Sequence, residues 1–337
     1  MKKIATLLIF MGFLAAAIMG GIWAKKNLPL PAIITNVLAP AAHDPDAMPY
    51  PAQYAKISGL KTYYVTAGQG QPFVFLHGNP TQSYMWRNVL PYVAEVGKIY
   101  AFDWPGYGYS EKPYPPLTHQ DYDHFLSAFL DDMQLEKVVL VIHDWSSMVA
   151  FHYAAQHPER IAGLVFMESL VPPIIPIENY ESLGKVGNFF KNVREIENGA
   201  EVIVKTNTFV DLMLETGFEK PLSAKAQAIY KEAFKTPQQR EVLLRWPNLL
   251  PIGGKPTFMH DRVHAYGTWF LNSPEIPKLF LYAEPGLFNK PAFADYYAEH
   301  MPEVTSVSIG RGYHYIQEEN ADRIGKAIAA WAQKNVK

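Results

Sequence analysis

The 337-residue chain contains no cysteine, which excludes a disulfide, a thiolate metal site and a cysteine nucleophile and leaves the redox compartment open. Charge is sparse as well. Asp, Glu, Lys and Arg make up 18% of the residues, the formal net charge is -2, and neither sign gathers into a block. There is no basic stripe with interleaved aromatics, which argues against a nucleic-acid surface. No internal repeat is visible, and the absence of Gly-x-Ser-x-Gly speaks against a serine esterase.

What the chain does have is apolar substance: 49% of it is hydrophobic, enough for one large domain with an insertion or two modest ones. Residues 4–24 form a long apolar run behind Lys2 and Lys3 and before Lys25-Lys26. A run of that length with a basic lead is expected to be an export signal or an uncleaved membrane anchor over residues 1–26. The protein is then periplasmic or secreted, and meets a membrane only through this segment. Residues 27–54 hold Pro29, Pro31, Pro40, Pro45, Pro49 and Pro51 with little periodicity and read as a linker.

Beyond residue 55 short apolar runs at 61–66, 73–76, 99–102, 138–142, 164–167 and 279–282 alternate with helical segments, the pattern of an α/β fold with a mainly parallel sheet. Strand signals disappear over 171–248, where segments such as 192–207 and 223–234 look helical. This stretch is expected to be a helical insertion between core pieces 55–170 and 249–337. The chain closes with a helix over 320–334, with Asn320 as its cap.

The chemistry is concentrated in residues 138–148. Val138-Val139-Leu140-Val141-Ile142 predicts a buried strand, and Met148, Val149, Phe151, His152 and Ala155 predict a helix that stops at His157-Pro158. A side chain at such a strand-to-helix corner is thrust into the open beside the first free N–H groups of the helix. Here it is the carboxylate of Asp144, expected to be the nucleophile of a hydrolase; its bland alternative is a helix cap. His143 is read as structural, on the opposite side of the strand. Three further positions follow apolar runs or close the chain: His77-Gly78-Asn79-Pro80, Glu168, and His314 in Gly312-Tyr313-His314-Tyr315. Side chains beyond the carboxyl ends of parallel strands converge on one crevice, so nucleophile, acid and base in the order Asp, Glu, His suit a hydrolytic triad. Glu284, after the run 279–282, competes with Glu168 for the acid.

Taken together, residues 77–88 (His77-Gly78-Asn79-Pro80-Thr81-Gln82-Ser83-Tyr84-Met85-Trp86-Arg87-Asn88), His143-Asp144-Trp145, Met167-Glu168 and His314-Tyr315-Ile316-Gln317-Glu318 resemble the haloalkane dehalogenases of the α/β-hydrolase superfamily. The likeness runs from about residue 57 to the C-terminus and fits the branch whose acid follows the sixth strand, which is Glu168 here. A coelenterazine-oxidising luciferase shares the pattern. The family usually has glycine two residues after the nucleophile, where this chain has Ser146.

The resemblance implies an α/β-hydrolase fold with a helical cap after strand six and hydrolysis of haloalkanes through an ester on Asp144. It also implies a halide held by the side chains of Asn79 and Trp145, an oxyanion hole from their backbone N–H groups, and a water activated by His314 with Glu168 behind it. Such chemistry calls for a small apolar halogenated substrate and water, with no metal or organic cofactor. The nearest alternative is an epoxide hydrolase, which needs proton donors, commonly paired cap tyrosines; the insertion offers only Tyr180 and Tyr230. A luciferase-like monooxygenase and an inactive membrane-tethered binding protein are the remaining alternatives. Phe189, Phe209 and Leu212 are candidates for the pocket lining.

Overall fold

A computed structural model describes residues 40–336 apart from 195–198 and 302. The expected export or anchor segment at 4–24 and the first part of the linker lie outside the described residues. The described part of that linker is fastened down: Arg87 Nε donates to the Pro45 carbonyl at 2.6 Å, the Tyr84 hydroxyl donates to the Asp46 carbonyl at 3.0 Å, and the His43 ring meets Asn88 Oδ1 at 2.9 Å.

Eight strands form one sheet: β1 (Gln53–Ile57), β2 (Leu60–Ala67), β3 (Pro72–Leu76), β4 (Lys98–Phe102), β5 (Val138–Asp144), β6 (Ile161–Ser169), β7 (Lys278–Pro285) and β8 (Val304–Gly312). Their order is β1-β2-β4-β3-β5-β6-β7-β8; β2 runs antiparallel to β1 and β4, and every other pair is parallel. The central strands β3, β5 and β6 are buried along almost their whole length, as continuous Val, Leu, Ile and Phe runs require when both faces are covered. The sequence reading missed β1 and β8 because they are the edges. Gln53-Tyr54-Ala55-Lys56 alternates half-buried with exposed, and β8 carries Thr305, Ser306 and Ser308 where a central strand would carry aliphatics.

Helices cover both faces. On the amino-terminal half these are α1 (Leu90–Ala94), α2 (His119–Asp132), started by a Thr118/Asp121 capping box, and α3 (Ser146–Gln156), which leaves β5 directly. Between β6 and β7 lie α4 (Lys185–Arg194), α5 (Thr208–Thr216), α6 (Ala224–Glu232), α7 (Pro237–Leu249) and α8 (Thr257–Leu271). The helix expected over 192–207 is divided: α4 ends at Arg194 and a π-turn occupies Ala200–Lys205. Gly199 lies so close to the Val193 carbonyl that a Cβ would fall 2.1 Å from it, a join that a side chain would block. The ends of the insertion are tied by a bridge between Ile177 and Ile252. By contrast α8 packs on the sheet layer, where Phe151 of α3 stacks on Tyr266 at 5.9 Å. The remaining helices are α9 (Ala292–His300), the single turn α10 (Ile316–Glu319) and α11 (Ala321–Asn335). Asn320 stands at the start of α11 but does not cap it; its amide donates to the Arg311 carbonyl at 2.7 Å and secures the end of β8 instead.

Among the described residues no helix is long and apolar enough to cross a membrane.

Candidate active site

Asp144 ends β5 with a backbone φ of +55°, a left-handed conformation that costs a non-glycine residue on the order of 1–3 kcal/mol. The strain holds the carboxylate up at the corner, where it is 1% exposed. Room for it comes from Gly78, at which an added Cβ would stand 2.4 Å from the Asp144 Cβ and Oδ1. The backbone N–H of Asn79 donates to Oδ1 at 2.8 Å. The neighbouring Ser146, where the family usually has glycine, is buried and stitches the elbow. Its hydroxyl oxygen accepts the His143 N–H at 3.3 Å and lies 2.7 Å from the His143 carbonyl and 3.1 Å from that of Leu76. The corner thus uses a serine where a glycine would leave a buried N–H without that partner.

Glu168 reaches the site through a bulge. β5 and β6 pair His143 with Met167 and then Asp144 with Ser169, so Glu168 is skipped, with φ +46°, and its side chain is re-aimed. Both carboxylate oxygens are held by the loop after β7: Phe288 N–H donates to Oε2 at 2.8 Å, Leu287 N–H lies 3.1 Å from Oε1, and Asn289 N–H donates to Oε1 at 3.2 Å. Glu284, the rival for the acid, is exposed at the end of β7.

His314 lies between the two carboxylates, with Nε2 at 3.4 Å from Asp144 Oδ2 and Nδ1 at 3.1 Å from Glu168 Oε2. Burial pulls the imidazole pKa down. The hydrogen bonds to Asp144 and Glu168, with the charges of both, outweigh that and raise it to about 9. The segment carrying His314 is fixed from two sides. The Gly217 carbonyl, at the end of α5, accepts the N–H groups of His314 and Tyr315, each at 3.3 Å. His143 Nε2 meets the His314 carbonyl at 2.9 Å, with the two rings 4.7 Å apart. The His143 side chain therefore turns toward the segment carrying His314; burial holds its pKa well below the ordinary value, so the ring is neutral and Nε2 is the donor. The sequence led to the expectation of a structural residue on the opposite side of the strand; this contact across 171 residues was not legible there.

Beside the carboxylate stand Asn79 and Trp145. The Trp145 indole is nearly buried between Phe190, 6.2 Å away, and Trp246, which stacks on it at 6.2 Å with an interplanar angle of 29°. No protein group accepts its indole N–H among the described residues. Phe190 and Trp246 were not singled out in the sequence. Of the three expected lining residues, Phe189 packs behind Phe190 at 5.5 Å, Phe209 stacks on Phe189 at 5.9 Å, and Leu212 belongs to a small separate cluster with Val202. Choosing Phe190 over Phe189 required the docked orientation of α4, which spacing alone does not give. A cleft of about 530 Å³ between α2 and α7, lined by Leu117, His119, Tyr122 and Leu244 among others, touches this assembly through Trp246 alone; neither Asp144 nor His314 lines it.

In chemical terms the arrangement is a strained carboxylate with an N–H donor on one oxygen, an imidazole on the other and a second carboxylate behind the imidazole. No cluster suited to a metal ion occurs among the described residues.

The sequence model of the alpha/beta hydrolase fold family matches residues 71–321. The haloalkane dehalogenase of Mesorhizobium japonicum is 37% identical over 271 residues, spanning 80% of this chain and 86% of that protein. One from Sphingobium indicum is 35% identical over 288 residues, spanning 84% and 95% respectively. The crystal structure of haloalkane dehalogenase DbeA from Bradyrhizobium elkani superposes with a TM-score of 0.80 at 32% identity, covering 84% of this chain and 97% of that one. With the sheet order, the strained Asp144 corner and likeness over nearly the full length of these relatives, the chain belongs to the haloalkane dehalogenase family of α/β hydrolases.

Proposed function

We propose that the protein hydrolyses small apolar haloalkanes to alcohol, halide and proton through an ester on Asp144. The observation that carries this reading is His314 lying between Asp144 and Glu168, with Asp144 held at a left-handed corner. In the first step an Asp144 oxygen attacks the halogen-bearing carbon in line, and the carbon–halogen bonding pair leaves with the halide. The Trp145 indole N–H and the Asn79 amide receive that charge, and one preorganised donor of this kind contributes about 3 kcal/mol.

The raised pKa of His314 fits the order of events. Beside the Asp144 carboxylate the imidazole is held protonated and cannot act as a base. Once Asp144 is an ester, one of the two carboxylate partners that raise the pKa is gone, the pKa falls, and the imidazole can give its proton to solvent. The neutral ring then takes a proton from water as that water attacks the ester carbonyl. The Asn79 backbone N–H, already on the Asp144 carboxylate, and that of Trp145 stabilise the developing oxyanion. Glu168, at 3.1 Å from Nδ1, orients the ring.

Against epoxide hydrolysis stands the engagement of the two cap tyrosines elsewhere: the Tyr230 hydroxyl is bonded to Glu318, and the Arg194 guanidinium lies over the Tyr180 ring at 6.0 Å. Halide release from 1,2-dibromoethane or 1-bromobutane, abolished by Asp144→Ala, tests the proposal; a His314→Phe variant should accumulate the Asp144 ester. Diol from styrene oxide with no halide from any bromoalkane would overturn it. The lysine-flanked apolar run at 4–24 supports export, with the segment as signal or anchor; N-terminal sequencing and membrane fractionation distinguish the two.

A further inference from the structure

A carboxamide serves as a halide donor only if its nitrogen, not its oxygen, faces the leaving group. Two groups set that orientation for Asn79, and neither belongs to the reacting set. The first is a backbone carbonyl of the insertion. Pro247 sits inside α7 and has no N–H, so the Leu243 carbonyl four residues before it lacks its helical partner. That carbonyl lies 3.2 Å from Asn79 Nδ2. Since a carbonyl can only accept, the atom facing it must be the amide nitrogen.

The second is Tyr107, in the turn after β4. It is buried, and its hydroxyl donates to Asn79 Oδ1 at 3.2 Å. Burial pushes the phenol well above its usual pKa, so the proton stays in place across the working range. Carbonyl and phenol specify the same orientation independently. One amide N–H is used on Leu243 and the other is left uncommitted.

We infer that Tyr107 and the Leu243 carbonyl freed by Pro247 are positioning groups that fix the Asn79 amide with an N–H toward the departing halide. This rests on the halide role proposed for Asn79. It goes beyond that role in assigning functions to Tyr107 and Pro247, which reach the site only through Asn79.

Stopped-flow measurements on the full-length chain test it. Tyr107→Phe removes the hydroxyl and keeps the ring; Pro247→Ala restores an N–H that competes for the Leu243 carbonyl. Each variant should weaken bromide binding, read from tryptophan fluorescence, by about tenfold, the size of one lost buried hydrogen bond. Each should slow ester formation from 1-bromobutane by a similar factor and leave the rate of ester hydrolysis unchanged. A purely structural role would depress both steps or reduce the folded fraction instead. Wild-type bromide affinity and ester-formation rate in folded Tyr107→Phe, or equal losses in both steps, would overturn the inference. Asn79→Ala is the reference: if it binds bromide as the wild type does, the halide role of Asn79 fails, and the positioning role fails with it.

Discussion

Replacing Asp144 by asparagine makes a stable imitation of the neutral ester, and so isolates the claim that ester formation converts His314 from an acid into a base. In the native site the imidazole is buried and Asp144 lies 3.4 Å from Nε2. Its pKa is raised from 6.5 to about 9, which corresponds to roughly 3 kcal/mol favouring the protonated ring. Removing the Asp144 charge takes away one of the two carboxylate partners and leaves the cost of burial unchanged. An adjacent opposite charge is worth about 1–3 pKa units, so the pKa of His314 in Asp144→Asn should fall from about 9 to about 6–8. The ring resonances of labelled protein, followed from pH 5 to 10, read this directly.

Unfolding gives a second view. A group whose folded pKa exceeds its unfolded one stabilises the fold fully below the unfolded value, 6.5 here, and that contribution is lost as pH rises through about 9. Wild-type melting temperature should therefore decline across that window, and the decline should be shallower in Asp144→Asn. A His314 that titrates near 9 in Asp144→Asn, or near 6.5 in the wild type, would refute the reasoning.

Ser146→Gly should bring the elbow closer to its relatives in composition and yet lower stability by about 1–3 kcal/mol, because the buried His143 N–H loses its hydroxyl partner; urea unfolding measures it. Gly78→Ala forces a methyl into the Asp144 carboxylate, and kcat/KM should fall at least ~100-fold in a folded protein. Glu168→Gln places an amide N–H against the Leu287, Phe288 and Asn289 donors and should slow ester hydrolysis strongly while leaving ester formation nearly intact. The matched change Glu284→Gln, at an exposed strand end, should alter neither step in rapid-quench measurements.

The sequence was informative where the chemistry follows a buried strand. Asp144, Glu168 and Asn79 each follow closely on an apolar run, and parallel pairing of β3, β5 and β6 is sufficient to bring those ends together. Trp145 came with Asp144, and His314 was marked by the motif around it. The edge strands were hidden because one face of each meets solvent and the alternation is weak. The aim of Glu168 was hidden for another reason: a bulge is a mismatch between two strands, and neither strand reveals it alone. The supports for the site were least visible. His143 to His314, Tyr107 to Asn79 and Leu243 to Asn79 are contacts between distant segments, and no local propensity encodes them. Pro247 was not singled out in the sequence either, although a proline in a helix interior leaves a carbonyl without its helical partner.

The Gly217 carbonyl, which accepts the N–H groups of both His314 and Tyr315, bears on how this protein can be modified or diverge. An insertion that merely roofed a pocket could be exchanged among relatives as a cassette to change which molecules are accepted. Here the same insertion holds the backbone of His314, and an added Cβ at Gly217 would meet the Tyr315 ring at 2.4 Å. A grafted roof would have to reproduce that bare peptide at the same height, or the chimera would recognise new molecules and fail to turn them over.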